Sequence, residues 1–479
     1  MSNLIILFCA LIILLVAEYL ISGREIFSAC FIATAVFTVS TGYSLVASER
    51  FETDISIETV FIILGALLAI CTGEWLVSAA MQRNNYVSVN SRYLKGAAKN
   101  TEIEPILIRK ELIYLLFALT LTLGLIRYYY LYQASLAYGN PGNILKAIAY
   151  TRTAMISDEI EGHRLLSYGC TFCMATTYAA IFIYFYNLYL CKQRELKLLL
   201  PTISYLLIPL SSTGRVEYIQ LLLVVFSVFV ICSRKSNGWR IRGNLKILLG
   251  AILALVVFVL IFRYIGSMRD KWGTQPDVMT DLIEYLSAGI YGLDRFIKTG
   301  RDYSLTFGYE TFAWLYSILN RVFDAGLPVS SFQPHFTIGN VESNIYTGIK
   351  SFIQDFSVVG MLGICFFIGF IYSIWLNILK FAANIRMCFL GVIGFAVFIY
   401  PIAMFSVAGT YNALLTTGYL MFFVFLIILN ELFINPRGSA KTKSSKARRE
   451  KNGKGKNSSK HLVSRATKND SRPRNKRIT

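Results

Sequence analysis

Eleven stretches of about twenty predominantly apolar residues dominate this chain, near 3–21, 26–47, 57–80, 111–132, 165–190, 197–211, 216–232, 245–266, 356–379, 387–408 and 412–433. A run of that length matches a hydrocarbon layer of roughly 30 Å. Lipid offers no partner to a peptide group, so each run must close its hydrogen bonds within itself as a helix. Over 479 residues the chain is 55% hydrophobic and only 16% charged, with a mean hydropathy of +0.53, which excludes an ordinary soluble domain. The expected fold class is an all-α integral membrane protein of about 11 transmembrane helices. The first stretch lacks a basic leader and a small-residue cleavage site, so it reads as a retained helix.

Charge orients the spans. The tail beyond Phe433 holds 16 Lys and Arg against Glu450 and Asp470, and supplies +14 of the +19 formal charge. Basic flanks remain cytoplasmic. Alternating outward from that anchor puts 33 of the 47 Lys and Arg inside and 18 of the 28 acids outside, with the N-terminus periplasmic and the C-terminus cytoplasmic. Four regions follow: helices one to eight over 1–266, with an outer segment at 133–164; a large periplasmic loop over 267–355; helices nine to eleven over 356–434; and a disordered basic tail over 435–479. The tail has too few apolar residues to fold and reads as an anchor for anionic lipid; no nucleic-acid partner is expected.

A loop of some ninety residues between spans is usually functional. Within it, "DLIEYLSAGIYGLDRFIK" and "YETFAWLYSILNRVF" carry apolar residues at steps of three and four. Both read as amphipathic helices that lie on the outer bilayer surface or cap a cavity.

The cations that break the charge rule are informative. Arg215 sits in the short polar turn of "PLSSTGRVEYIQ", Arg263 ends span eight, Lys350 precedes span nine, Arg152 and Arg164 belong to the smaller outer segment, and Arg295, Arg301 and Arg321 to the large one. Taken singly, such a residue is explained by snorkelling to headgroups. Together they suggest sites for a lipid-linked phosphate or pyrophosphate, because the guanidinium fork matches phosphate oxygens and such bonds strengthen away from bulk water.

The stretches "TFGYETFAWLYSIL" and "GNVESNIYTGIKSFIQDFSVVGMLGICFFIGFIYS" resemble the Wzy-type oligosaccharide repeat-unit polymerases of O-antigen and capsule synthesis, where Asn, an aliphatic residue, Tyr and Thr precede Asp-Phe-Gly and an apolar helix. The matching positions are Asn344, Ile345, Tyr346, Thr347, Asp355 and Phe356; Ser357 stands where the family has glycine. "LSSTGRVEYIQLLLVV" is similar to a turn between two central spans of that family. The resemblance covers roughly 200–380 and the rest by topology.

It implies a glycosyltransferase at the outer face of the bacterial inner (cytoplasmic) membrane. Such an enzyme moves a growing glycan from undecaprenyl pyrophosphate onto a second lipid-linked repeat unit, with no nucleotide sugar or other cofactor. Its partners would be that glycan donor and acceptor, the membrane, and a chain-length regulator. The chemistry asks for fixed cations beside the departing pyrophosphate and for a base on the acceptor hydroxyl. Arg152, Arg164, Arg215, Arg263, Arg295, Arg301, Arg321 and Lys350 are candidates for the first role; Asp294, His335, Glu342 and Asp355 for the second.

Asn344, Tyr346 and Thr347 are candidates for sugar contacts. Alternatively, Glu342 caps the helix after Asn344, and Tyr346 and Thr347 merely pack its entrance. The outer segments show no Asp-x-Asp pair or ligand spacing, so transfer is expected to be metal-independent. Related readings are an O-antigen ligase, or a flippase that uses the in-span acids Glu18 and Glu74. All nine cysteines lie in or beside apolar spans and read as small hydrophobes with no disulfide framework.

Overall fold

The structure is a computed structural model that describes residues 1–83, 104–136, 163–212, 216–239, 244–268, 278–300, 306–329, 333–382, 386, 388–414 and 416–434. The chain is an all-α membrane protein, with almost no sheet among the described residues. Among the described residues, eight helices are long and apolar enough to cross a bilayer: Ser2–Ile21, Ala29–Val46, Ile57–Met81, Lys110–Leu136, Arg164–Tyr189, Val216–Ser236, Gly348–Phe381 and Thr417–Ile434. Shorter apolar stretches among the described residues fall in the other three windows: Leu196–Ser211, Ile247–Leu260, which is part of the helix Asn244–Met268, and Phe389–Ala403.

The elements, in order, are α1 (Ser2–Ile21), α2 (Ala29–Val46), α3 (Ser48–Phe51), α4 (Ile57–Arg83), α5 (Lys110–Leu136), α6 (Arg164–Tyr189), α7 (Leu200–Tyr205), α8 (Leu207–Ser212), α9 (Val216–Ser236), α10 (Asn244–Met268), α11 (Val278–Lys298) and α12 (Ala313–Phe323). A two-stranded hairpin of β1 (Phe336–Ile338) and β2 (Val341–Ser343) follows. Then come α13 (Gly348–Phe381), α14 (Phe389–Ala403), α15 (Tyr411–Leu414) and α16 (Thr417–Leu429). These form one compact unit over Met1–Leu429; the helical turn Asn430–Ile434 belongs to a second.

Helix faces follow from spacing. In α1, Leu4, Leu7, Leu11, Leu14 and Glu18 are buried at alternating steps of three and four, while Ile5, Ile6, Ile13 and Val16 stay at least half exposed. That second face is what a lipid-facing helix presents. The most extensive helix pair is α4 with α13. A side chain added at Gly369 would meet the Ile70 carbonyl at 1.9 Å, and one at Gly73 the Phe366 carbonyl at 2.2 Å. Two glycines therefore let these backbones touch, the usual device where packing rather than water exclusion joins helices.

The helix α13 spans 34 residues, about 50 Å at about 1.5 Å per residue, longer than one crossing needs. It bends at Ser357, whose φ of 62° and ψ of 179° are non-helical. The bend leaves about 36 Å of helix beyond it and sets 348–356 apart as a separate segment carrying Lys350 and Asp355. That region of backbone space is almost reserved for glycine, the residue whose place Ser357 takes in the motif.

The segment read as a loop is well built. Helix α11 does not lie alone: it packs on α2, burying Leu282, Ala288, Ile290, Tyr291 and Leu293, with Tyr291 stacked on Phe51 at 3.9 Å between ring centroids. Gly289 and Gly292 let α11 also press against the chain after α14 and before α13, since a Cβ there would meet the Ser406 and Ile345 carbonyls at 2.2 and 2.5 Å. The second amphipathic stretch is helical only over Ala313–Phe323. Its first residues are held in turns, because the Asp355 carboxylate takes the Glu310 and Thr311 amides.

One expectation is corrected. Cys30 and Cys71 form a disulfide between α2 and α4, with Cα atoms 5.1 Å apart. The pair lies 41 residues apart on two helices, so only their packing brings it together.

Candidate functional site

The hairpin sets the site. Strand β1 pairs antiparallel with β2, Thr337 opposite Glu342, around a Gly339-Asn340 turn in which Gly339 has φ of 55°; positive φ at this position is what two-residue hairpins require. The Asn340 amide donates to the Arg50 carbonyl at 3.1 Å and its side chain to Glu52 at 3.1 Å. Those bonds pin the hairpin to the chain just after α2.

Behind it lies a buried ionic knot. Lys350, 2% exposed, donates to Glu310 Oε1 at 2.5 Å and to Gln333 Oε1 at 2.7 Å. Gln333 Nε2 returns to Glu310 Oε2 at 3.0 Å, and the Lys350 ammonium lies 5.1 Å from the Tyr346 ring centre and 5.6 Å from that of Phe296. Asp355 holds the Glu310 backbone from below, accepting its amide at 3.1 Å and that of Thr311 at 2.7 Å. Charge removed from water is tolerable only when it is paired and hydrogen-bonded on every side. The charge of Lys350 is thus spent on Glu310, and its visible work is to fix the Gln333 amide.

Gln333 opens onto a cavity of about 260 Å³. Asn344, Tyr346 and Thr347, the three residues singled out for sugar contact, all line it, with Tyr285, Ser351 and Asn412. Thr347 stands at the N-cap of α13 yet makes no capping bond, and its hydroxyl is buried without a hydrogen-bond partner. A buried, unsatisfied hydroxyl costs about 1–3 kcal/mol, which a ligand hydroxyl would recover. Burial pushes the Tyr346 phenol up, against the pull of Arg295; the neutral phenol donates to the Pro334 carbonyl at 3.1 Å.

The four candidate bases fall into two kinds. Asp294 is buried and accepts from the Ser56 amide at 2.6 Å and the Thr59 hydroxyl at 2.8 Å, with Lys298 at 2.6 Å; it fastens α11 to the start of α4. Asp355 is committed to backbone amides as above. His335 and Glu342, by contrast, are exposed on the hairpin with Nδ1 and Oε1 3.6 Å apart. Glu342 lies on β2, five positions before Thr347, so it does not cap α13.

Among the cations, Arg295 is exposed beside the hairpin and donates to the Thr337 carbonyl at 3.4 Å. Arg164 and Arg321 are exposed on α6 and α12. Arg152, Arg215 and Arg301 lie outside the described residues, as does the side chain of Arg263 on α10.

Sequence reasoning missed Glu310, Gln333, Ser351 and Asn412. The available signal was "FTIGNVES", where the β-prone Phe-Thr-Ile and Val341 flank Gly-Asn; a hairpin there brings residues 333–335 near 344–346. The Lys350–Glu310 pair spans 40 positions and leaves no local signature. Comparison of the chain with family models, with curated proteins and with solved structures finds no match.

Proposed function

We propose that this protein polymerises polyprenyl-pyrophosphate-linked oligosaccharide repeat units into O-antigen or capsular polysaccharide, at the outer face of the bacterial inner membrane. In this reading the chain crosses eleven times, the three shorter apolar stretches included, with α11, the hairpin and the cavity on the periplasmic side. The observation that carries the reading is the cavity, where Asn344, Tyr346 and Thr347 meet Gln333, Ser351 and Asn412. Amides, hydroxyls and aromatic faces without a free charge are the chemistry that recognises sugars.

In the transfer, the bond from the donor's anomeric carbon to the pyrophosphate oxygen breaks and a bond from that carbon to the acceptor oxygen forms. The acceptor's proton passes to a base. In this reading His335, exposed with Nδ1 3.6 Å from Glu342 Oε1, takes that proton, because Asp294 and Asp355 are engaged elsewhere. Arg295, exposed beside the hairpin, meets the departing pyrophosphate in the same reading, and Arg152, Arg215 and Arg301, which lie outside the described residues, are further candidates for that role.

The deciding experiment is the surface-glycan ladder of a deletion strain. Lipid A core carrying a single repeat unit supports the polymerase. Bare core with accumulating long lipid-linked polymer identifies a ligase instead, and repeat units trapped on the cytoplasmic side identify a flippase.

A further inference from the structure

Away from the cavity, α1, α2 and α4 bring together a second set of reactive side chains. A Glu18 carboxylate oxygen, Cys30 Sγ and Cys71 Sγ all lie within 4.8 Å of one another, and all three residues are 0% exposed. Trp75 Nε1 donates to Glu18 Oε2 at 2.6 Å, but Glu18 Oε1 is buried with no hydrogen-bond partner. An uncompensated carboxylate oxygen in such a place is costly, and it shares its pocket with two sulfurs. Next to them, Glu74 Oε2 accepts the Cys30 amide at 3.1 Å, fixing the end of α2 that carries the first cysteine.

We propose that Glu18, Cys30 and Cys71 form, in the reduced chain, a buried site for a thiophilic divalent cation of the zinc class. Two thiolates select such a metal over magnesium or calcium, and a carboxylate oxygen is a third ligand that zinc accepts, with one tetrahedral position left over. The disulfide is the oxidised form of the same site. Two molecules of a small thiol reduce it to two cysteine thiols and become a disulfide themselves; the cation then displaces the two thiol protons to solvent. Glu74 is a positioning residue. In the orientation proposed above, the cluster lies in the cytoplasmic half, where thiols are kept reduced. The bound cation would clamp three helices and satisfy Glu18.

The test is metal content, independent of any glycan assay. The full chain, purified in detergent with a small-molecule thiol and without chelator, is expected to carry about one zinc per chain by plasma mass spectrometry. Cys71→Ser and Glu18→Gln should lose it, and Cys365→Ser, a buried cysteine elsewhere on α13, should retain it. Because a variant can fail to fold, the wild type is also loaded with Co(II), which should give thiolate-to-metal charge-transfer absorption and the strong visible bands of a tetrahedral site. The proposal is overturned if the reduced wild type binds no more zinc or cobalt than Cys71→Ser. It is equally overturned if the oxidised wild type, with the Cys30–Cys71 bond intact, binds as much zinc or cobalt as the reduced chain.

Discussion

Removing either partner of the Lys350–Glu310 pair should be far more damaging than removing both. Glu310 is 4% exposed and Lys350 2%, so Glu310→Leu strands a buried ammonium, and breaking such a pair typically costs about 3–5 kcal/mol. Gln333 Oε1 at 2.7 Å and two aromatic rings remain around the ammonium, which places the expected loss near the lower bound, about 3 kcal/mol. Lys350→Met strands Glu310 in the same way and should cost a similar amount. In the double variant Lys350→Met/Glu310→Leu no charge is buried. Gln333 loses both partners but faces a cavity that water can enter, so the net cost should fall to about 1 kcal/mol or less. Equilibrium unfolding in mixed micelles by increasing fractions of dodecyl sulfate gives the four free energies of the cycle. A double-variant cost equal to the sum of the two singles would refute the reasoning, since it would mean that the two charges do not act on each other.

Thr347→Val replaces an unsatisfied buried hydroxyl with a methyl of the same shape, so thermal stability should hold or rise slightly while the glycan ladder shortens; a wild-type ladder would remove that hydroxyl from the site. Ser357→Gly should stabilise the protein by about 1–3 kcal/mol in the same unfolding assay, the usual cost of a non-glycine residue in that conformation, and Ser357→Val should lose stability. Gly369→Ala puts a methyl 1.9 Å from the Ile70 carbonyl, so α4 and α13 must move apart. Loss of the monodisperse peak in detergent chromatography is the expected result, and an unchanged profile would argue against that close crossing.

The helices were legible because a bilayer imposes one length and one polarity on every crossing. Where the windows misjudged form, local chemistry explains it. The 197–211 window breaks into a short helical turn, α7 and α8, with Pro201 and Pro209 unable to donate within a continuous helix. The amphipathic face of α11 was readable from its spacing, but not its partner, since α2 lies some 240 positions earlier. The motif drew attention to Tyr346 and Thr347, which do reach the cavity. It could not reveal that Lys350 is neutralised by Glu310, or that Asp294 is engaged by Ser56 and Thr59, because those encounters exist only after the bundle closes. The Cys30–Cys71 bond was invisible for the same reason.

The contact of Gly73 with α13 and of Gly369 with α4 also sets a schedule. A ribosome adding about 5–20 residues per second needs about 15–60 s to travel from one glycine to the other. During that wait α4 is already in the membrane, with its most intimate neighbour unmade and Glu74 on a helix whose final surroundings do not yet exist. The α2 face that receives α11 waits nearly as long. Biogenesis therefore passes through an intermediate in which the faces of α2 and α4 that receive α11 and α13 are still uncovered.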